Sequence, residues 1–423
     1  MLHRNASRGE IFSWTLFDFA NTGFNVVIIT LVFPVFFNET IAGGNEAYWG
    51  RTISASMLLT ALIGPLLGSI ADATHRKKLF LGMFTLACVI ATACLYFTGE
   101  GTLLMAALLL IVANVGFEGG TIFYDAFLPD ISSEQNYSKI SGYGFAMGYL
   151  GSFIILVTIL PLIGGENVSA SDVRLTFLIA AAFFGLFSLP LFLFVKERRR
   201  ERNVEGSLVA AGYRRLRETF THLRRYDAVK RFLIAFFVYN DSILTVILFA
   251  GIFAKETLGL ATTDLIYFFM IVQGSALVGS LIFGWITNSI GARQSIITTL
   301  LIWIGVVAAA YFITTVGAFF ILGAVAGIAL GSSQSSSRTL MALLTPDEKR
   351  TEFFGFYDGF FGKASAVIGP LVFGEISSSF GQRPAMLVIG GIFVTGILLV
   401  LRVPDARPPE PAGSAPAGER SPA

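Results

Sequence analysis

Twelve stretches of this 423-residue chain are apolar over a length that crosses a bilayer. Their approximate limits are 13–37, 50–71, 79–98, 102–124, 139–163, 174–195, 231–254, 264–286, 294–314, 317–337, 353–375 and 384–403. A hydrocarbon core about 30 Å thick needs about 20 helical residues. Lipid offers no partner to a bare peptide group, so such runs must bond internally as helices. The expected class is an all-α integral membrane protein with twelve transmembrane helices. Charged residues make up only 14% of the chain, where soluble domains carry about a quarter. Two spans are unusually polar or small. The tenth ends in Ser332, Ser333, Gln334 and Ser335–Ser337, and the fifth holds Gly142, Gly144, Gly148 and Gly151. Such faces must look at protein or water.

Charge orients the chain. Of its 30 Lys and Arg, only Arg51, Arg174, Lys255 and Arg383 fall in the loops on one side, and Lys363 falls within a span. The rest are assigned to the other side, which also carries both termini. The positive-inside rule makes that side cytoplasmic. The first run is too long for a cleavable signal and reads as a signal anchor. Multi-pass insertion in a bacterial inner membrane is expected. The segment 196–230 is strongly basic, and Leu216, Phe220 and Leu223 recur at helical spacing among arginines. It reads as a linker with an amphipathic helix on anionic inner-leaflet lipid. The tail 404–423, rich in Pro, Ala, Gly and Ser, is expected to be disordered.

The two halves resemble each other at a nearly constant offset. Asn21 matches Asn240. Gly68–Lys77 matches Gly284–Arg293, so that Asp72 pairs with Asn288. Tyr143–Gly148 matches Tyr357–Gly362. A parallel repeat of six spans and six spans predicts two bundles, 1–195 and 231–403, with a site near the midplane between them.

Gly68, Asp72 and the basic cluster Arg76, Lys77, Lys78 resemble the inner-loop signature of the major facilitator superfamily, and the copy from Gly284 to Arg293 resembles it too. A narrower resemblance rests on Trp14-x-x-x-Asp18-x-x-Asn21, on Tyr239-Asn240-Asp241, on Gln334-x-x-x-Arg338 and on the run from Phe353 through Tyr357, Asp358 and Lys363 to Ser365. These are similar to the branch typified by fungal vacuolar amino-acid effluxers of the autophagy pathway. The resemblance implies the major facilitator fold, with pseudo-two-fold symmetry, and alternating access. It implies an amino-acid substrate only by analogy. Asn288 replaces the acid of the second loop copy, so the inner latch is expected mainly in the first.

Carboxylates inside spans set the candidate chemistry. One at a helix centre costs about 2.5–3.5 kcal/mol on insertion scales, which makes it a functional candidate by default. Asp18, Glu118 and Asp241 are candidates for proton coupling, since His3, His75 and His222 all lie outside the spans. Substrate binding is expected at Asn21, Asn240, Asp241, Gln334, Asp358 and Lys363. Lys363 reads as the one base within a span, either paired with Asp18, Glu118 or Asp241 or binding a substrate carboxylate. Asp358, five residues before it, is about 140° away on an α-helix and a poor partner. Gly68, Asp72, Arg76 and Lys77 read as an inner gate, in which a carboxylate receives an Arg or a helix N-terminus from the opposite half in one state. The alternative for Asp18 and Asn21 is a structural polar cluster tying helices together.

The favoured function is secondary active transport of a small polar solute such as a zwitterion, proton-coupled, with export as one direction. A sugar, vitamin or drug-like solute is the runner-up. The alternative classes are a membrane enzyme, for which no phosphate-binding Gly loop, no H-E-x-x-H and no Ser/His or Cys/His set lies within a span, and a transporter-like receptor, which a long signalling domain apart from the spans would favour. No metal, cofactor or nucleic acid is expected, and the chain is expected to work as a monomer. Cys88 and Cys94 are expected to stay unpaired, being six apart on one helix.

Overall fold

A computed structural model of the chain describes residues 6–43, 46–164, 168–197, 226–260, 262–346, 349–362 and 380–406, with positions 213, 214, 217, 218, 364, 365, 373, 376 and 377. The described residues are helical almost throughout. The helices are α1 (Arg8–Ile41), α2 (Glu46–Thr74), α3 (Lys77–Cys94), α4 (Leu103–Asp125), α5 (Tyr137–Ile163), α6 (Ala170–Phe194), α7 (Asp227–Leu258), α8 (Thr262–Ile290), α9 (Ala292–Phe312), α10 (Val316–Leu344), α11 (Arg350–Phe354, continuing over Gly355–Phe361) and α12 (Gln382–Val400). Among the described residues eleven helices are long and apolar enough to span. The expected span 353–375 begins in α11 and runs onto residues outside the described set, as do most of the amphipathic segment 214–225 and the tail beyond Ala406.

Local chemistry sets the helix ends. Ser7 caps α1 in a capping box with Glu10, and Ser169 caps α6 with Asp172. The repeat reaches the turns: His75 takes φ 54° between α2 and α3, and its counterpart Gly291 takes φ 89° between α8 and α9. Both turns need the left-handed region, which Gly adopts freely and His more readily than most residues. Cys88 is buried and Cys94 half-buried, and both are free.

In the N-terminal half α1 packs on α5 and α6, and α4 on α2 and α3. In the C-terminal half α7 packs on α12, α9 on α10 and α12, and α8 on α10. The halves meet along α5 with α8 and α10, and along α2 with α11. Phe17, Phe19 and Phe24 are buried packing residues of the first half, stacked on Tyr124, Phe183 and their neighbours.

Two helices leave α geometry. α1 is wound as a π-helix over Asn25–Leu31 and again over Phe37–Ile41. Pro34 lacks an N–H and its ring crowds the carbonyl four residues back, which accounts for the wider winding just before it. The Thr30 hydroxyl then reaches Asn25 Oδ1 at 3.1 Å, five residues away. α11 is π-wound over Gly355–Phe361.

Candidate functional site

A cavity of about 250 Å³ lies between the two halves. Its walls include Asp18, Asn21 and Thr22 of α1, Phe117, Thr121 and Asp125 of α4, Phe145 and Tyr149 of α5, Tyr239 and Asn240 of α7, Gln334 and Arg338 of α10, and Tyr357 and Asp358 of α11. Five sequence candidates therefore converge: Asp18, Asn21, Asn240, Gln334 and Asp358. Asn240 Nδ2 donates to Ser365 Oγ at 2.7 Å, and the Thr22 hydroxyl donates to Asn21 Oδ1 at 3.1 Å.

Three candidates stand apart or cannot be placed. Asp241 is buried but does not line the cavity, which α7 meets through Phe236, Tyr239, Asn240, Ile243 and Leu244. Glu118 is buried within the first half and does not line it either, because Phe117 forms the wall at that level. Lys363 lies outside the described residues.

The centre of the network is a residue that span assignment puts on the basic face. Arg338 lies within α10 and is 1% exposed, so Lys363 is not the one base within a span. The Arg338 guanidinium donates to Asp125 Oδ1 at 2.8 Å, to Asp18 Oδ2 at 3.3 Å, and to the hydroxyl and carbonyl of Ser141 at 3.0 and 2.8 Å. Its Cζ sits 4.0 Å from the Phe145 ring centre and 5.1 Å from that of Trp14. The Tyr124 hydroxyl donates to Asp18 at 2.7 Å, and Trp14 Nε1 to the Tyr124 carbonyl at 3.2 Å. Gly144 makes room for the pair, since a Cβ there would stand 2.7 Å from both Arg338 Nη2 and Asp18 Oδ2. The cation that Asp18 meets is thus Arg338, carried by the second half into the first. The signal for it was present: Arg338 follows Gln334 by one turn and shares its face. The serine run before it lowers hydropathy enough to look like a span end.

Those serines are structural ties. Ser337 is hydrogen-bonded to the Tyr239 hydroxyl at 2.7 Å, Ser336 to Thr287 at 3.2 Å, and the Ser335 carbonyl accepts from Ser141 at 3.0 Å. Tyr149 donates to Gln334 Oε1 at 2.5 Å. These two side chains also border a second chamber of about 220 Å³, lined by Asn25, Thr30 and Gln273. The hydrogen bond joins the halves where the chambers meet.

On the basic face the halves are closed together. Ser138 Oγ donates to the Gly284 carbonyl at 2.8 Å, and a Cβ on Gly142 would meet Ser280 O at 2.6 Å and Gly284 Cα at 3.0 Å. The pseudosymmetric contact sets Gly68 against Thr351 and Glu352, and Gly355 against Gly64 and Pro65. Gly68 therefore marks a close approach of the two halves. Lys77 does not cross to the other half. Its ammonium pairs with Asp130 and bonds the Ala126 carbonyl at 3.0 Å. Asp130 also lies 3.7 Å from Arg350 of α11, which bonds the Tyr137 hydroxyl at 3.3 Å. The contact from a carboxylate to an opposite-half arginine thus joins Asp130 and Arg350, neither expected from sequence. Arg76 precedes α3 and is half-buried, and the Asp72 side chain lies outside the described set. Glu197, at the start of the linker, accepts the Lys77 backbone N–H at 2.6 Å. Burial pushes its carboxyl above the ordinary range, opposed by that bond and the Lys77 charge.

A family model described as "Vacuole effluxer Atg22 like" matches residues 44–409. The uncharacterised MFS-type transporter YxiO of Bacillus subtilis (strain 168) is 34% identical over 407 residues, covering 93% of this chain and 94% of that protein. Autophagy-related protein 22 of Eremothecium gossypii is 24% identical over 442 residues, covering 88% and 86%. The solved human organic anion transporter MFSD10 superposes with a TM-score of 0.76 at 12% identity, covering 93% of this chain and 99% of that one. The proton:xylose symporter XylE does so at 0.72 and 15% identity, covering 94% and 96%. At such identities these two structures speak to the fold alone.

Proposed function

The chain belongs to the Atg22-like effluxer family within the major facilitator superfamily, and from that premise we propose that it exports a small zwitterion of the amino-acid class by proton-coupled alternating access. The observation that carries this reading is the charge of the central cavity. Among its described lining residues, three carboxylates, Asp18, Asp125 and Asp358, face one cation, Arg338. A proton or a substrate ammonium offsets the excess negative charge, and the guanidinium, released from one aspartate, receives a substrate carboxylate. Amide groups of Asn21, Asn240 and Gln334 supply orientation. The cavity, at about 250 Å³, is smaller than the roughly 300–1,000 Å³ of drug-sized sites, which favours a small solute over a drug-like one. The closed basic face represents one end of the rocking cycle, with Arg338, Asp130 and Arg350 as the contacts that must part.

The test is a thermal-shift screen of the purified protein against amino acids and neutral sugars at two pH values, since a ligand of the native state raises apparent stability by mass action. Stabilisation by one or more amino acids is expected. Stabilisation by a sugar and by no amino acid would overturn the zwitterion. For the coupling, flux in proteoliposomes should follow an imposed pH gradient, and flux that responds to sodium but not to pH would reject protons.

A further inference from the structure

A further cavity, on the outer flank of the molecule, shares no lining residue with the central one. It holds about 520 Å³ and is lined by Ile11, Phe12 and Thr15 of α1, Tyr143, Met147 and Leu150 of α5, and Leu277 and Leu281 of α8, with Arg8 at one end. Three helix ridges converge here. Along α1, Arg8, Phe12 and Thr15 follow at i, i+4, i+7. Along α5, Lys139 leads one turn later to Tyr143, Met147 and Leu150. Along α8, Trp285 leads back through Leu281 to Leu277. The cations of the first two ridges stand at the same end, on the basic face. Lys139 Nζ lies over the Trp285 ring at 4.8 Å from its centre, bridging α5 and α8. Arg8 is exposed, as are Phe12 (57%) and Trp285 (56%).

We propose that this cleft binds one anionic phospholipid of the basic-face leaflet, its phosphate between Arg8 and Lys139 and one acyl chain laid along the Phe12–Tyr143–Leu281 trough. Charge complementarity picks the headgroup, because Arg8 lines one end of an otherwise apolar slot and Lys139 stands one turn before Tyr143 toward the same end. Length picks the chain, because Arg8 to Thr15 spans about 10 Å of helix axis, enough for the upper part of an acyl chain. Trp285 sits where an indole meets the headgroup region. Two walls belong to the first half and the third to the second half. The cleft therefore exists only while α5 and α8 are in contact, and its lipid favours the state with the basic face closed.

Native mass spectrometry of the full chain in detergent, given phosphatidylglycerol and phosphatidylcholine in competition, tests the site. At roughly fivefold per basic side chain near the surface, the wild type should retain phosphatidylglycerol about 30-fold over phosphatidylcholine. Arg8→Gln with Lys139→Gln should bring the ratio close to one. Leu281→Trp fills the trough and should lower retention with both cations intact, which keeps the test decisive if the basic variant fails to fold. A control replaces Arg214, Arg215, Arg217, Arg224 and Arg225 of the linker by Gln. Equal retention of the two lipids by the wild type, or a preference that survives in the Arg8/Lys139 variant and vanishes in the linker variant, would overturn the proposal.

Discussion

Arg338 reaches from the second half into the first and holds two carboxylates at once, Asp125 at 2.8 Å and Asp18 at 3.3 Å. Removing one partner of such a buried set strands the others, at about 3–5 kcal/mol. Arg338→Met should therefore lower the unfolding temperature sharply and abolish flux. Adding Asp18→Asn and Asp125→Asn to that variant should restore most of the stability, since neither former partner of the guanidinium is left charged, but not the flux. A triple variant as unstable as the single one would show that shape, not charge, ties the halves. Tyr149→Phe makes a smaller prediction. It removes the O–H that Gln334 accepts, a net contribution of about 0.5–1.5 kcal/mol, and should speed amino-acid counterflow by roughly 2- to 10-fold. A slower rate would mean that Tyr149 serves binding rather than separation of the chambers. At this scale the sequence was partly legible. Asp18, Asn21, Asn240, Gln334 and Asp358 declared themselves as polar groups within apolar runs. Arg338 and Asp125 did not, because each lies near a span end where charge is ordinarily solvated. Only the packing of the basic face buries them.

Among the helices, the twelve-span order was legible because hydropathy is a sum over about 20 residues and tolerates local error. The Gly-rich face of α5 was legible as a contact surface for the same reason that it works as one, since small side chains let backbones meet. The π segments were not, because winding depends on how a whole helix settles against its neighbours. Pro34 marks the first segment, yet nothing in the run at Gly355 marks the second. The glycine contacts make the sharpest prediction about an element. A Cβ at Gly142 meets the Ser280 carbonyl at 2.6 Å and Gly284 Cα at 3.0 Å, and backbone does not give way as a side chain does. Gly142→Ala should pry α5 from α8. An overpacking cost of about 1–3 kcal/mol corresponds to a population shift of roughly 5- to 150-fold toward the open basic face. A cysteine placed at Ser335, in a background lacking Cys88 and Cys94, should then be alkylated faster by that factor. Unchanged labelling would show that the α5–α8 seam does not set the equilibrium.

Over the whole molecule, the repeat makes the seam between the halves a pair. α5 meets α8 and α2 meets α11 through pseudosymmetric glycine contacts, so the proposed rocking motion would break both seams together. The electrostatic latches do not share this symmetry. Arg338 has no basic counterpart in the first half, the residues near its aligned position being Tyr124 and Asp125, and Asn288 stands where Asp72 stands in the other copy. Closure is thus symmetric in shape and one-sided in charge, and in the proposed cycle protons or substrate would act on one seam while packing carries the change to the other. A tether across the basic face tests this directly. Tyr137 and Arg350 face each other there, with a 3.3 Å hydrogen bond between hydroxyl and guanidinium. Tyr137→Cys with Arg350→Cys, in the background lacking Cys88 and Cys94, can be joined by a reducible bis-maleimide. The joined protein should still show a thermal shift with its substrate, because the central cavity is formed in the closed state, but should carry no flux. Reduction of the tether should restore transport. Flux that persists with the tether intact would mean that solute passes without opening this face, and alternating access through it would fail.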